Sequence, residues 1–155
     1  MASYGDIMLI TRILPLISFV AIVGLSGCAT TVGGQNPSSS VYAELGGSKK
    51  VEEIVENFVV EIERDPVILA YFDGADINRF IDKLSEQICH RTGGPCAYSG
   101  DTMEQVHGGM NITEADFNRT VDLLINAMNT ADVPHSLQNK VLRVLAPTRD
   151  EMLYL

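Results

Sequence analysis

The feature of this sequence that most constrains its fold is a glycine-rich break between two helical segments. Residues 92–112 hold about 20 residues with barely one turn of helix, which is long for a connection inside a compact domain. Glycine and proline at 93–95 and glycine at 100 give the backbone freedom, and His107 lies near the end of the break. Such long loops are usually functional. Neutral imidazole is the commonest side-chain metal ligand, so we predict that His107 binds a metal centre rather than packing in a core.

The sequence on either side of this break has helical periodicity. We predict four main helices: one that begins at Lys49 behind a Ser48 cap and ends at 65–66, one from about Ile77 to Arg91, one opened by Thr113, and one opened by Pro134. Pro147 should bend or shorten the last helix. Because no stretch alternates convincingly with period two, the predicted fold class is all-α.

The first forty residues have a different character. Residues 1–27 resemble a secretory signal peptide, with an apolar run at 13–25 that is shorter than the roughly 20 residues of a membrane span. The last residues of this segment, with Cys28, resemble a bacterial lipobox. That resemblance implies that Cys28 is lipidated and that residues 28–40 form a flexible tether to a domain at 41–155. The alternative is an uncleaved anchor helix. Ala29 after the cysteine favours the periplasmic side of the outer membrane, by resemblance to other lipoproteins.

The net charge restricts the partners of the domain. A formal charge of −9 argues against binding of nucleic acid, since no basic stripe is present to displace counterions from phosphates. It also argues against direct docking on an anionic lipid surface. We therefore expect contact with the membrane through the lipid anchor alone.

Two further cysteines follow the predicted anchor. With Cys28 assigned to lipid, Cys89 and Cys96 remain as an even pair, which in an oxidising compartment is a disulfide candidate. Two free buried thiols are one alternative. A zinc site formed by Cys89, His90, Cys96 and His107 is another, although it lacks the two tight pairs that structural zinc sites usually have.

From Val41 to about Met152 the order of motifs resembles the group 1 truncated haemoglobins, which fold as a two-over-two helical sandwich. The residues that carry this resemblance are Tyr42 to Gly47, Phe58, Asp65-Pro66, Tyr71-Phe72, Gly93-Gly94-Pro95, Tyr98-Ser99-Gly100, Met103, His107, Ile112-Thr113, Phe117 and Val133-Pro134. Each motif is weak alone, and their order and spacing together are specific.

The resemblance implies a haem b cofactor with His107 as the proximal ligand of its iron. It places Phe72 against the haem face. The other residues that it implies around the haem are Met103, Val106, Ile112, Phe117 and Leu124, with Phe80, Lys83 and Leu84 on the distal side. Apolar side chains of this kind would exclude water while one imidazole fixes the axial field of the iron.

The distal side departs from the pattern of relatives that hold oxygen tightly. Val59 and Leu84 stand where those relatives carry a tyrosine and a glutamine, and Phe80 replaces a polar gate residue. Gln87 is the remaining polar candidate for the distal pocket. Lys83 has two interpretations: an internal iron ligand, or a cation that faces solvent and pairs with a haem propionate.

The function implied by the resemblance is reversible binding of a diatomic gas (oxygen, nitric oxide or carbon monoxide) at the cell envelope, for oxygen transport or nitric oxide detoxification. We expect no reductase domain in this sequence, so that dioxygenation of nitric oxide would need an external electron donor. The alternatives are a membrane-tethered haem carrier or peroxidase-like protein, and a haem-free helical scaffold.

Overall fold

The computed structural model of the chain describes residues 39–155, and no strand occurs in this range. The predicted signal peptide, the lipidation site Cys28 and nearly all of the predicted tether lie outside these residues. Within residues 39–155 no helix is long and apolar enough to cross a membrane.

Seven α-helices make up most of the described chain. They are α1 (Val41–Leu45), α2 (Ser48–Arg64), α3 (Pro66–Leu69), α4 (Ile77–Arg91), α5 (Met103–His107), α6 (Glu114–Thr130) and α7 (His135–Leu145). Short 3₁₀ turns follow α3, at Ala70–Phe72, and α7, at Ala146–Arg149. The all-α prediction is confirmed, and the four predicted main helices correspond to α2, α4, α6 and α7.

The helix ends show where local sequence rules hold and where they fail. Thr113 caps α6 as predicted, since its hydroxyl accepts from the backbone N–H of Asp116 at 3.2 Å. The last helix ends at Leu145 and tightens into a 3₁₀ turn around Pro147. The predicted Ser48 cap is wrong. Ser48 is already helical, and the cap is Gly47, whose φ of 79° is a backbone conformation that glycine adopts without a steric penalty.

The four main helices pack against one another. Helix α2 contacts α6 and α4, and α4 in turn contacts α7. A core of fully buried side chains fills one end of this arrangement: Val51, Ile54, Val55, Ile88, Met128 and Val141. A second apolar cluster around Phe58 and Ile62 lies at the other end and includes Phe72 and Phe80 at its edge. The structure leaves a cavity beyond this second cluster.

Asp65 fixes the turn of the chain between α2 and α3. Its carboxylate accepts from the backbone N–H groups of Val67 and Ile68 at 3.0 and 3.2 Å, and it pairs with Arg119 of α6. Pro66 at the first position of α3 needs no backbone donor there. The result is a sharp turn that brings Phe72 to the wall of the cavity.

Candidate functional site

A cavity of about 590 Å³ opens between α4, α5, α6 and α7. Sites that bury an organic ligand usually have volumes of several hundred Å³. Most of the residues that the resemblance assigned to a haem site come together here. The lining includes His107, Phe72, Met103, Val106, Phe80, Lys83, Leu84, Gln87, Ile112, Phe117 and Leu124.

The structure differs from the sequence prediction at Val59. This side chain is half-buried and is not among the described residues that line the cavity, whereas the preceding Phe58 is buried and lines it. Successive side chains on an α-helix diverge by about 100°, so the two cannot face the same way. The ring of Phe58 packs on Phe80 with centroids 6.4 Å apart. Phe58 therefore supplies apolar surface of α2 to the cavity, whereas Val59, predicted for the distal pocket, does not line it.

Helix α5 is one short segment with a well-defined start. The hydroxyl of Thr102 accepts from the backbone N–H of Gln105 at 3.2 Å, and the side-chain oxygen of Gln105 accepts from the backbone N–H of Thr102 at 3.0 Å. This reciprocal capping box satisfies two N–H groups that a helix start otherwise leaves free. It allows a five-residue helix to hold His107 in its last turn.

The imidazole of His107 has one ring nitrogen engaged and one available. Its Nδ1 lies 2.8 Å from the carbonyl oxygen of Met103. Because a carbonyl can only accept, Nδ1 carries the proton and donates, and Nε2 keeps an in-plane lone pair. Burial lowers the pKa of His107, against the Met103 hydrogen bond, which raises it. A neutral imidazole whose other nitrogen donates to a backbone carbonyl is the usual state of a metal-ligating histidine.

The wall formed by α2 and α4 is largely aromatic and aliphatic. Phe72 meets Phe80 edge-on with centroids 4.9 Å apart, and Leu84 continues the apolar surface one turn along α4. Gln87 is the buried polar side chain of α4. Its Nε2 donates to the sulfur of Met103 at 3.1 Å. A thioether is a weak acceptor, so the hydrogen bond of this buried amide is weaker than one to an oxygen would be.

Charged side chains of α4 also lie in the lining of the cavity. The ammonium of Lys83 lies 2.9 Å from a carboxylate oxygen of Glu86 and 2.7 Å from the hydroxyl of Ser99. Arg79 pairs with Asp101 at 2.7 Å. The Lys83 hydrogen bond, with those from the backbone and hydroxyl of Ser99, lowers the pKa of Glu86 to about 2. Both cations lie in the lining, where they can meet an anionic group at the edge of a bound molecule.

One polar pair in the lining was missed by sequence reasoning. The hydroxyl of Tyr71 donates to the carboxylate of Asp116 at 2.9 Å, and both residues line the cavity. Asp116 also accepts from the hydroxyl of Thr113 at 2.6 Å. The Thr113 hydroxyl and backbone, and then Tyr71, lower the pKa of Asp116, while burial and the carboxylate raise that of Tyr71. Tyr71 and Asp116 are far apart in sequence, so local patterns could not reveal the contact.

The cysteines of the domain lie beside this site and not in it. Cys89 and Cys96 form a disulfide bond, with their Cα atoms 5.8 Å apart. His90 is exposed, and its Nδ1 lies 3.2 Å from the carbonyl oxygen of Cys96. Within residues 39–155 no three His, Cys, Asp or Glu side chains are grouped to hold a metal ion. The zinc alternative is not assembled, because the two sulfurs that it needs are joined to each other.

Known proteins of similar sequence cover the same region. A family model described as bacterial-like globin matches residues 40–154. A group 1 truncated haemoglobin of Mycolicibacterium paratuberculosis is 34% identical over 114 residues, which cover 74% of this chain and 84% of that protein.

Solved structures agree in fold. The Fe(III) form of a truncated haemoglobin from Tetrahymena pyriformis has a TM-score of 0.72 at 24% identity and covers 76% of this chain and 100% of its own. A 2/2 haemoglobin from Synechococcus sp., in the cyanomet state and with covalently attached haem, has a TM-score of 0.69 at 21% identity, covering 74% and 98%. From the family match and the sequence identity, the chain belongs to the bacterial-like globin family, within the group 1 truncated haemoglobins.

Proposed function

We propose that this chain binds haem b, that Nε2 of His107 would hold its iron, and that the bound haem would supply a centre for reversible binding of a diatomic gas. Membership of the family implies a haem cofactor. The observation that carries the proposal is the geometry of His107, whose Nδ1 is engaged by Met103 and whose Nε2 is available at the border of an apolar cavity.

The residues of the cavity fit a haem group. An iron porphyrin presents two flat apolar faces, an iron that accepts an axial imidazole, and two carboxylates at one edge. Phe72, Phe80 and Phe117 supply apolar surface, while Lys83 and Arg79 lie in the lining, where the carboxylates would meet them. When bound, the haem supplies an iron centre for the gas. The protein holds that centre, fixes its axial ligand and excludes water.

Lys83 is best suited to the edge of the haem. Its ammonium pairs with Glu86 and donates to Ser99, so an approach to the iron would break both contacts and require the amine to lose its proton. Absorption spectra of the haem-loaded Lys83→Ala variant test this role. We expect its coordination state to equal that of the wild type, and a change from six to five ligands would assign the amine to the iron.

The apolar distal wall favours transport, storage or sensing of a gas over rapid turnover. A hydrogen-bond donor would stabilise the polarised end of an oxygen ligand. Phe80 and Leu84 of α4, which line the cavity, have no such donor. Dioxygenation of nitric oxide, and so its detoxification, would depend on Gln87 as the donor and on an outside source of electrons. We therefore place gas binding first and a nitric oxide dioxygenase activity second.

The proposed location is the bacterial cell envelope, with the protein held by lipid on Cys28 on the periplasmic side of the outer membrane. The support is the sequence of residues 1–28, with the resemblance to lipoprotein signals described above. Labelling of cells with a fatty acid tests it directly. The full chain should incorporate the label, and the Cys28→Ser variant should not. Equal labelling of the two would contradict the anchor.

One optical experiment tests the central proposal. The full chain, purified with haem, should show a Soret band in the ferric and ferrous states and a shifted band when carbon monoxide is added. Together these spectra report haem, the number of iron ligands and access for a gas. A protein that stays colourless in the presence of added haemin would favour the haem-free scaffold instead.

A further inference from the structure

The loop that leads to α5 runs back along the whole of α4. Residues 96–101, here called the strap, contact α4 in antiparallel order. Asp101 pairs with Arg79 near the start of the helix, Ser99 meets Lys83 and Glu86 near its middle, and Cys96 is bonded to Cys89 near its end. The strap thus crosses several turns of the helix that forms one wall of the cavity.

The strap is also part of the cavity. Tyr98 and Asp101 lie in its lining together with Arg79 and Lys83 of α4. The hydroxyl of Tyr98 donates to the carbonyl oxygen of Asp101 at 2.7 Å, which holds the ring across the strap. Two residues of the strap, Tyr98 and Asp101, therefore form part of one edge of the cavity, beside Arg79 and Lys83.

The contacts that fasten the strap differ in strength. The side chains of Arg79 and Asp101 are 55% and 58% exposed, so their ion pair is screened by water. Lys83 and Glu86 are less exposed, at 25% and 31%, and they hold Ser99 through hydrogen bonds. The disulfide is the covalent link in this series. A change in its state should affect the strap more than the loss of any one polar contact.

The disulfide connects a buried cysteine to a partly exposed one. Cys89 is 3% exposed and follows Ile88 of the main core, whereas Cys96 belongs to the strap and is half-buried. Gly94 packs tightly here. A Cβ at this position would come within 2.6 Å of the Cys89 sulfur and 2.8 Å of the Tyr42 ring. The Cys89 side is thus enclosed by protein, and a reductant would reach the bond from the Cys96 side.

We propose that the Cys89–Cys96 bond is a redox-cleavable clip that holds the strap against α4, and that its reduction opens this edge of the cavity and speeds the loss of haem. The haem part of this inference rests on the proposed function. One thiolate of a dithiol attacks the sulfur of Cys96 and the sulfur of Cys89 leaves and takes a proton. The second thiol of the reductant loses its proton and attacks the reductant's first sulfur, and the sulfur of Cys96 leaves and takes a proton. Two electrons pass to the cysteines, and the reductant becomes a disulfide.

The test uses the full chain with Cys28→Ser in every sample, so that Cys89 and Cys96 are its sole cysteines. Transfer of haem to excess apomyoglobin is timed by absorbance before and after treatment with dithiothreitol. We expect reduction to speed transfer by about 10-fold or more, since a covalent closure of a short loop is lost. Reoxidation should restore the slow rate. The Cys89→Ser/Cys96→Ser variant should be fast with or without dithiothreitol.

A second measurement does not need haem. The backbone N–H of Ser99 donates to Glu86 at 3.0 Å, so its hydrogen exchange reports whether the strap is closed. Reduction should speed this exchange and leave the amides of α6 unchanged. Haem transfer that changes by less than about twofold on reduction overturns the proposal, whatever the exchange shows. Absence of a Soret band in both states contradicts the proposed function instead, and unchanged exchange at Ser99 then rejects the clip as well.

Discussion

The two sides of the cavity differ in chemistry: the α5 side positions a single nitrogen atom, and the α4 side presents an apolar surface. On the α5 side, a capping box and a 2.8 Å hydrogen bond from His107 to Met103 fix one nitrogen lone pair. On the α4 side, Phe80 and Leu84 define an apolar surface, and within the described residues the buried amide of Gln87 donates to a thioether alone. One side positions a ligand atom, and the other mainly excludes water. The first side therefore supplies a ligand atom for the haem iron that the family implies. The second side leaves the affinity for a gas to small differences in energy.

Replacing His107 should have the largest effect, because it removes the positioned atom itself. In the His107→Ala variant we expect haem affinity to fall by more than about 100-fold, beyond the 10- to 100-fold typical for losing a partner of a metal ligand. Titration of the apoprotein with haemin, followed at the Soret band, measures this loss. Added imidazole should recover part of the spectrum by filling the space of the missing side chain.

His90 provides the matched control. It is an exposed histidine that contacts the Cys96 carbonyl and is not among the described residues that line the cavity with His107. The His90→Ala variant should bind haem like the wild type. If both histidine variants bind haem normally, His107 is not the proximal ligand and the contrast between the two sides fails.

Introducing a donor on the apolar side should have the next largest effect. In Leu84→Gln, an amide would face the distal space, and a hydrogen bond to a partly charged ligand contributes about 1.5 to 3 kcal/mol, or roughly 10- to 100-fold. We expect oxygen to leave the ferrous protein slower by this factor in stopped-flow experiments. Leu84→Met keeps the volume and adds no donor, so its rate should stay near that of the wild type. Equal slowing in both variants would show that shape and not hydrogen bonding controls release.

The main helices could be predicted because their apolar residues recur at spacings of three and four. Helices α1 and α3 could not, because they are too short for a periodic stripe. Each depends on a cap: Ser40 accepts from the N–H of Ala43, and Asp65 accepts from those of Val67 and Ile68. Such caps are common in loops as well, so they specify a helix only together with the tertiary contacts that surround them.

The parts of the site that belong to family motifs could be predicted from the order of those motifs in the sequence. His107 and the aromatic wall could be assigned from the resemblance, and the structure brings these side chains together around one cavity. Val59 was harder to place, since the resemblance names the position after Phe58, and which of the two side chains lines the cavity depends on the rotation of α2. The pairs Tyr71–Asp116 and Glu86–Ser99 join separate elements. Contacts of this type depend on the final packing and have no local signature.

Removing the buried amide from the distal helix should have a smaller effect than adding one at Leu84. Gln87→Leu takes away a donor that now meets the sulfur of Met103. An ordinary hydrogen bond contributes about 0.5 to 1.5 kcal/mol, so oxygen should leave roughly 2- to 10-fold faster if the amide turns to the bound gas. Ser85→Ala is the control, because its buried hydroxyl has no partner in the described chain. An unchanged rate of oxygen release in Gln87→Leu would show that the amide of Gln87 does not contact the bound gas.

The smallest expected effect concerns the strap and depends on pH. Lys83 and Ser99 lower the pKa of Glu86 from 4.5 to about 2 in the folded protein. A lowered carboxylate pKa stabilises the fold above the unfolded value, and this stabilisation is lost as the pH falls from about 4.5 towards 2. Denaturant unfolding of the wild type and Glu86→Gln should therefore differ slightly near neutral pH and converge in acid. Because the pair is partly exposed, salt should reduce the difference. A difference that grows in acid would mean that Glu86 is stabilised as the neutral acid, which would contradict its pairing with Lys83.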